Sequence, residues 1–368
     1  MNITIKREEL LKKLSDIQYI VDKKGSLAII NHFLLNAQEK NSFIVATDLE
    51  TAIKEPIELE ITQEGRYCLL GKKLLEIVKE LDGSSVNIEF IEEGWVRIKS
   101  DKSNYRLACM APSDFPAWPT IEPKDRFSLP NEVFLDMINK TLYAAGESDS
   151  RYALNCLLLH VKTDGTINMV ATDGHRLALS TNNSNYKPNK DLRILLSKRS
   201  LAEIKRIVTN TEGKMDLLID KNYLLLKTGE IELLCRVIEG NFPNYENVIP
   251  VNNDKVLAVK KDHFVRILKR ASVMSKEKTS LVRFDIDSNT MLVSASNPDF
   301  GEYKDELEVE YKGDPISIGF SSRFLLDALS VIDTEKIRLT MKESLTATLV
   351  LSEKDDYNYK SIVMPMRL

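Results

Sequence analysis

His175 lies two residues beyond Asp173, and a histidine beside a carboxylate is a pairing that could move protons. Such a pair needs a nucleophile or a metal to act with. On a strand the two would share a face, but neither kind of partner stands near them in the chain. We read no acid–base pair there. The other histidines, His32, His160 and His263, are scattered without metal-ligand spacing. Cys68, Cys109, Cys156 and Cys235 form no C-x-x-C pair and are expected to be reduced, mostly buried thiols. No G-x-x-x-x-G-K-[ST] loop, G-x-G-x-x-G turn or G-x-S-x-G elbow occurs. These residues point away from an enzyme, and no cofactor or metal is expected.

The elements that must carry these residues come in threes. Val45-Ala46-Thr47-Asp48 returns as Val170-Ala171-Thr172-Asp173, 125 residues on, and more weakly as Val293-Ser294-Ala295-Ser296, a further 123 on. Helical apolar spacing follows the same period. One set of helices is expected at 6–21, 131–144 and 261–274, and a second starts at 71, 197 and 321. Leu10, Leu14, Ile17 and Val21 show the pattern in the first. Between helices the alternation switches to strands. Hairpins are expected to turn at Glu92-Glu93-Gly94, at Asp220-Lys221-Asn222 and at Lys342-Glu343-Ser344. A period this long exceeds any solenoid unit and can bury its own core. The expectation is α+β: three similar domains of antiparallel sheet with two helices each, at 1–121, 126–250 and 254–368.

Formal net charge is −4, which taken alone argues against a nucleic-acid binder. The charges are not evenly spread. The six helical segments together carry +7, leaving −11 for the rest. Lys198, Ala202, Lys205 and Arg206 fall on one helical face, opposite the apolar stripe. Arg266, Lys269 and Arg270 do the same on another helix. Lys12 adds to the set. Solvated faces would account for any single one of these. A ring with all helices inward would instead present a basic lining to a DNA polyanion and an acidic exterior. Three domains are too few for such a collar, so two chains closing head to tail are expected.

Several motifs in order along the chain carry a resemblance. They are Ser150-Arg151-Tyr152-Ala153-Leu154-Asn155, Thr172-Asp173-Gly174-His175-Arg176-Leu177-Ala178, Asn241-Phe242-Pro243-Asn244-Tyr245 and the closing Val363-Met364-Pro365-Met366-Arg367-Leu368. Asp114-Phe115-Pro116 fits as well. With these the chain resembles, over essentially its whole length, the β subunit of bacterial DNA polymerase III, the sliding-clamp family. The resemblance implies the DNA clamp fold, a six-domain homodimeric ring, double-stranded DNA held without sequence preference, and no catalysis. It also implies as partners the polymerase catalytic subunit, the clamp loader, and repair and other replication proteins, which carry short clamp-binding peptides.

By resemblance, the peptide pocket is built by Arg151, Leu154, Thr172, Gly174, His175, Arg176, Leu177, Pro243 and Val248, with Val363, Met364, Pro365, Met366, Arg367 and Leu368. The two methionines suit several partners, and Arg151 and Arg176 could hold polar parts of a peptide. Asn247, Thr279, Ser321 and Phe324 depart from the family pattern, which leads one to expect an arginine, a bulky apolar residue, Asn and Tyr. For DNA, the resemblance points to Lys24, Lys73, Lys198 and Arg199, with Arg151 and Tyr152 near the path, and Tyr105 is expected to face Val273 and Met274 of the other subunit. The protein is expected to be soluble and cytoplasmic, joining the nucleoid during replication. Two other readings compete: a three-domain hydrolase using Asp173 and His175, and a monomeric peptide-binding scaffold. A mass near twice 41.9 kDa would exclude the second.

Overall fold

The structure, a computed structural model, describes residues 1–21, 28–275, 280–353 and 358–368. Among them are six α-helices: α1 (Arg7–Val21), α2 (Gly71–Glu80), α3 (Asn131–Thr141), α4 (Lys198–Thr209), α5 (Lys261–Met274) and α6 (Ser322–Ser330). Each starts on the residue after a strand ends, at Lys6, Leu70, Pro130, Ser197, Lys260 and Ser321. The helix starts read from periodicity hold to within a residue, because Ser197 and Ser321 finish strands instead. The expected helix at 131–144 is shorter. Thr141 Oγ1 donates to the carbonyls of Met137 (2.7 Å) and Ile138 (3.4 Å), and such back-bonding weakens a helix. The next three residues form a 3-10 turn.

Apolar residues bury one face of each helix against a sheet. In α1 these are Leu10, Leu14, Ile17, Ile20 and Val21. In α5 they are Phe264, Ile267, Leu268 and Ala271, and Phe264 meets Phe284 with ring centroids 5.8 Å apart.

The chain packs as two compact units, one of Met1–Leu135 with Arg199–Val237, the other of Asp136–Lys198 with Ile238–Leu368. The middle repeat is thus shared out between the units. Its strands Asp125–Pro130, Lys214–Ile219, Tyr223–Thr228 and Ile231–Arg236 extend the sheet of the first repeat into thirteen antiparallel strands. The seam there pairs Thr51 with Cys235 and Ala52 with Leu234. Its strands Cys156–Val161, Thr166–Thr172, Arg176–Asn183 and Leu192–Ser197 join the third repeat in a nine-stranded sheet. That seam pairs Arg176 with Val363 and Leu177 with Ile362. An unpaired strand edge invites pairing, and here repeats satisfy each other's edges. A four-stranded sheet of Gly301–Glu308, Thr290–Asn297, Leu281–Asp287 and Ile316–Ser321 completes the second unit.

Two of the expected hairpins turn where the sequence places them. The third does not. Strand Lys336–Met341 is followed by Thr348–Ser352, and residues 342–347 form a loop closed by Glu343 and Thr346 hydrogen-bonding each other. Leu345, expected to start a strand, is exposed in that loop. No helix among the described residues is long and apolar enough to cross a membrane.

Candidate functional site

The Asp173–His175 pair sits in a turn between two strands, not on a strand as the sequence suggested. The Asp173 carboxylate accepts the backbone N–H groups of His175 (2.9 Å) and Arg176 (3.0 Å) and the Arg176 Nε (3.0 Å). It closes the turn, and no proton transfer to His175 is set up. The His175 ring instead stacks on Phe324, with centroids 6.5 Å apart. Thr172 Oγ1 donates to the Arg176 carbonyl at 2.6 Å and accepts from the Gly174 N–H at 3.1 Å.

The first repeat builds the same turn bond for bond. Thr47 Oγ1 donates to the Thr51 carbonyl, and Asp48 accepts the N–H groups of Glu50 and Thr51. Both turns need a left-handed residue, Gly174 at φ 88° and Leu49 at φ 75°. At Gly174 a Cβ would come within 3.1 Å of the Arg151 guanidinium, so glycine lets that arginine lie across the turn. Arg151 is in turn held by Asp149, whose carboxyl its hydrogen bonds pull down to about 2.

Around the second turn the expected pocket residues gather within one unit. Leu154, Thr172 and Leu177 are buried, and Leu177 packs with Phe242, Tyr245 and Ile362 in one apolar cluster. Pro243 and Val248 are exposed on the segment that Phe242 and Tyr245 anchor. Val363 ends the pairing with Arg176. Beyond it, the Met364 N–H donates to the His175 carbonyl (2.9 Å) and the Met366 N–H to the Gly319 carbonyl (2.8 Å). Met364, Pro365 and Met366 are half-buried, and Arg367 and Leu368 are exposed. Gly319 is needed there, since a Cβ would meet the Met366 carbonyl and Leu368 at 2.9 Å.

Arg176 differs from expectation. Its side chain is 8 % exposed and held between Asp173 (3.0 Å) and Asp327 (2.5 Å), over the ring of Phe324 at 4.5 Å. These contacts occupy its guanidinium and tie the turn to α6. Ser321 is buried and Asn247 exposed, while Thr279 lies outside the described residues. Sequence reasoning missed Asp327, whose i, i+151 pairing with Arg176 leaves no local signal. It also missed a cavity of about 140 Å³ in the first unit, lined by Thr47, Leu49, Phe115, Pro116 and Trp118 among others. The repeated Thr-Asp turn and Phe-Pro pair were the available signal for it.

The basic residues divide into two groups. Lys12, Arg266, Lys269 and Arg270 are exposed, with Arg270 bridging to Asp305 at 2.8 Å. Lys73 is exposed beside Glu76, and Arg151 and Tyr152 are exposed as well. On α4 the basic residues of the expected face are half-buried instead, and only Ala202 of that face is exposed. Lys198 donates to the Ala145 carbonyl at 3.2 Å. Arg199 pairs with the buried Asp48 at 2.5 Å. Arg206 pairs with the buried Glu203 at 3.1 Å and lies over the Tyr19 ring at 5.1 Å. Lys205 is half-buried. Lys24 lies outside the described residues.

Ser103–Met110 and Gly301–Glu308 are among the strands that leave backbone unpaired on one side. Ser103–Met110, which carries the exposed Tyr105, pairs on one side only until Cys109 and Met110. Gly301–Glu308 pairs with Thr290–Asn297 alone. Near the end of α5, Val273 is exposed and Met274 half-buried.

Comparison with known proteins follows the three repeats. Family models of the DNA polymerase III beta subunit match in order: the N-terminal domain at residues 1–119, the central domain at 128–244 and the C-terminal domain at 246–367. The chain is 30% identical to the beta sliding clamp of Pseudomonas aeruginosa over the full length of both. A crystal structure of the DNA polymerase III subunit beta from that organism superposes with a TM-score of 0.95 at 30% identity, each chain covered completely. Another, a sliding clamp from P. aeruginosa bound to griselimycin, gives 0.92 at the same identity and coverage.

Proposed function

The chain belongs to the DNA polymerase III beta subunit family, and from that membership we propose that it is a sliding clamp in which two copies close head to tail around duplex DNA. Its role is non-catalytic. It tethers the replicative polymerase, and DNA and polymerase are the partners its family implies. We assign the three repeats to domains at 1–121, 126–250 and 254–368, and the inner wall of the ring to the helices. Exposed Lys12, Lys73, Arg266 and Lys269 meet phosphates without reading bases. Enclosure, rather than tight contact, keeps the ring on DNA.

The charges of Ser103–Met110 and Gly301–Glu308 support head-to-tail closure. Ser103–Met110 carries Arg106 and no carboxylate, whereas Gly301–Glu308 carries Glu302, Asp305, Glu306 and Glu308 against a single Lys304. Pairing these edges between copies removes both and brings Tyr105 toward Val273 and Met274 of the other copy.

Polymerase, clamp loader and repair proteins dock, in this reading, at the pocket beside the Thr172–Arg176 turn. The observation that carries it is the C-terminal run, hydrogen-bonded to His175 and Gly319 so that Met364 and Met366 form an adaptable apolar wall. Griselimycin, which a P. aeruginosa clamp binds, should occupy the same place. Deleting the five residues from Met364 to Leu368 is expected to abolish griselimycin and polymerase binding, measured by calorimetry, while the protein still runs as a dimer. Undiminished affinity in the deletion variant would remove the pocket from the function.

A further inference from the structure

A row of polar side chains crosses the nine-stranded sheet beneath the 241–248 segment. Strand register places Arg193 opposite His160, His160 opposite Asn168, and Asn168 opposite Thr181. His160 and Asn168 are buried, and Tyr245 reaches down onto both. Its hydroxyl lies 2.8 Å from His160 Nδ1 and 2.9 Å from Asn168 Nδ2.

The hydrogens in this row have one consistent arrangement. Thr181 Oγ1 donates to Asn168 Oδ1 at 2.8 Å, which leaves Asn168 Nδ2 as a donor to the tyrosine oxygen. The Tyr245 hydroxyl then gives its own hydrogen to His160 Nδ1. That nitrogen must be bare, so the ring carries its proton on Nε2 and donates it to Asp191 Oδ2 at 3.2 Å. Neutral histidine in one tautomer completes the chain. A second proton would put a donor on Nδ1 facing a hydroxyl oxygen that already accepts from Asn168. The tyrosine hydrogen would be left in a buried place with no acceptor.

We propose that Tyr245, held by His160 and Asn168, is the positioning residue for the Pro243 and Val248 wall of the partner pocket, and that protonating His160 releases it. This rests on the pocket reading above. Tyr245 opens the single 3-10 turn that ends at Val248, two residues after Pro243, so its depth in the cluster sets where both exposed residues stand. Asn244 caps that turn by accepting the Glu246 N–H at 3.2 Å.

The charged groups around His160 favour the neutral ring. Burial pushes its pKa below the ordinary 6.5, Asp191 opposes this, and Arg193 and Lys162 add to it. From the docked segment, Glu246 faces Lys162. The carboxyl of Asp191 is held below its usual range by the Thr163 N–H, and that of Glu246 by Lys162, so neither titrates between neutral pH and about pH 5. Because the folded value is lowered, the hold is complete above about pH 6.5 and is lost as pH falls toward the folded value.

The test is griselimycin binding to the full-length dimer, by calorimetry, from about pH 7.5 to about pH 5. Tyr245→Phe should bind about tenfold more weakly at the upper pH. The wild type should weaken several-fold toward the lower. In His160→Gln the amide oxygen can accept from Tyr245 and the NH₂ can donate to Asp191, without a titrating ring. That variant should match the wild type at the upper pH and keep its affinity at the lower. Wild type and His160→Gln falling in parallel would assign the pH effect to another group and overturn the proposal. Wild-type affinity in Tyr245→Phe would do the same. Should Tyr245→Phe misfold, the pH comparison decides alone. A wild type that binds no griselimycin at either pH brings down the pocket reading, and this proposal with it.

Discussion

Arg176 shows how a motif residue can matter through the ion pairs it makes inside the fold. Two carboxylates, Asp173 and Asp327, converge on a guanidinium that is 8 % exposed. Arg176→Met would leave both acids facing each other with no cation between them. The expected loss is about 1–3 kcal/mol, read as a lower urea midpoint, with Arg176→Lys losing less because it keeps the charge but not the fork. An unchanged midpoint for Arg176→Met would mean the carboxylates are satisfied elsewhere. The sequence made Arg176 conspicuous through its place in a motif. It could not assign the role, because Asp327 is 151 residues away and only the fold brings it near. The same limit applied to Asp173 and His175. Their spacing was legible, but whether the backbone there is strand or turn decides what the carboxylate can do, and its own turn's N–H groups claim it.

At the scale of elements, apolar periodicity located all six helix N-termini to within a residue, since a buried stripe is a strong local signal. Where a side-chain hydroxyl donates back to the helix carbonyls, as at Thr141, the helix stops early. Charge on a helix wheel was a poorer guide. The α4 face looked exposed in sequence, yet its Arg206 reaches the buried carboxylate of Glu203, and Arg199, expected on the DNA by resemblance, reaches Asp48. These two kinds of arginine should respond differently to charge reversal. Arg266→Glu with Lys269→Glu, both on exposed positions of α5, should shorten the lifetime of the ring on circular DNA, most at low salt and less as salt screens the contacts. Folding should be unaffected. Arg206→Glu would instead set a second carboxylate against buried Glu203 and lower stability by about 1–3 kcal/mol. Equal DNA retention in wild type and the α5 double variant would take that helix out of the DNA path.

For the whole molecule, the threefold duplication was legible because three copies of strand, turn and helix recur near 125 residues. The packing into two units was not. It follows from which strand edges pair across the repeats, at Thr51 with Cys235 and at Arg176 with Val363, and no single repeat encodes that. Sharing edges in this way leaves an acidic edge at Gly301–Glu308 and an edge bearing Arg106 at Ser103–Met110. The proposed ring closes by bringing these together from two copies. A topological link to DNA makes a demand that ordinary affinity does not. The protein must be trapped on DNA without ends and lost from DNA with ends. Loading the protein onto a nicked circular plasmid with a clamp loader, isolating the complex and then cutting the circle once measures this directly. The account predicts a complex that persists on the intact circle in moderate salt and runs off within the time of linearisation. Equal retention before and after the cut, or equal loss from both, would contradict it.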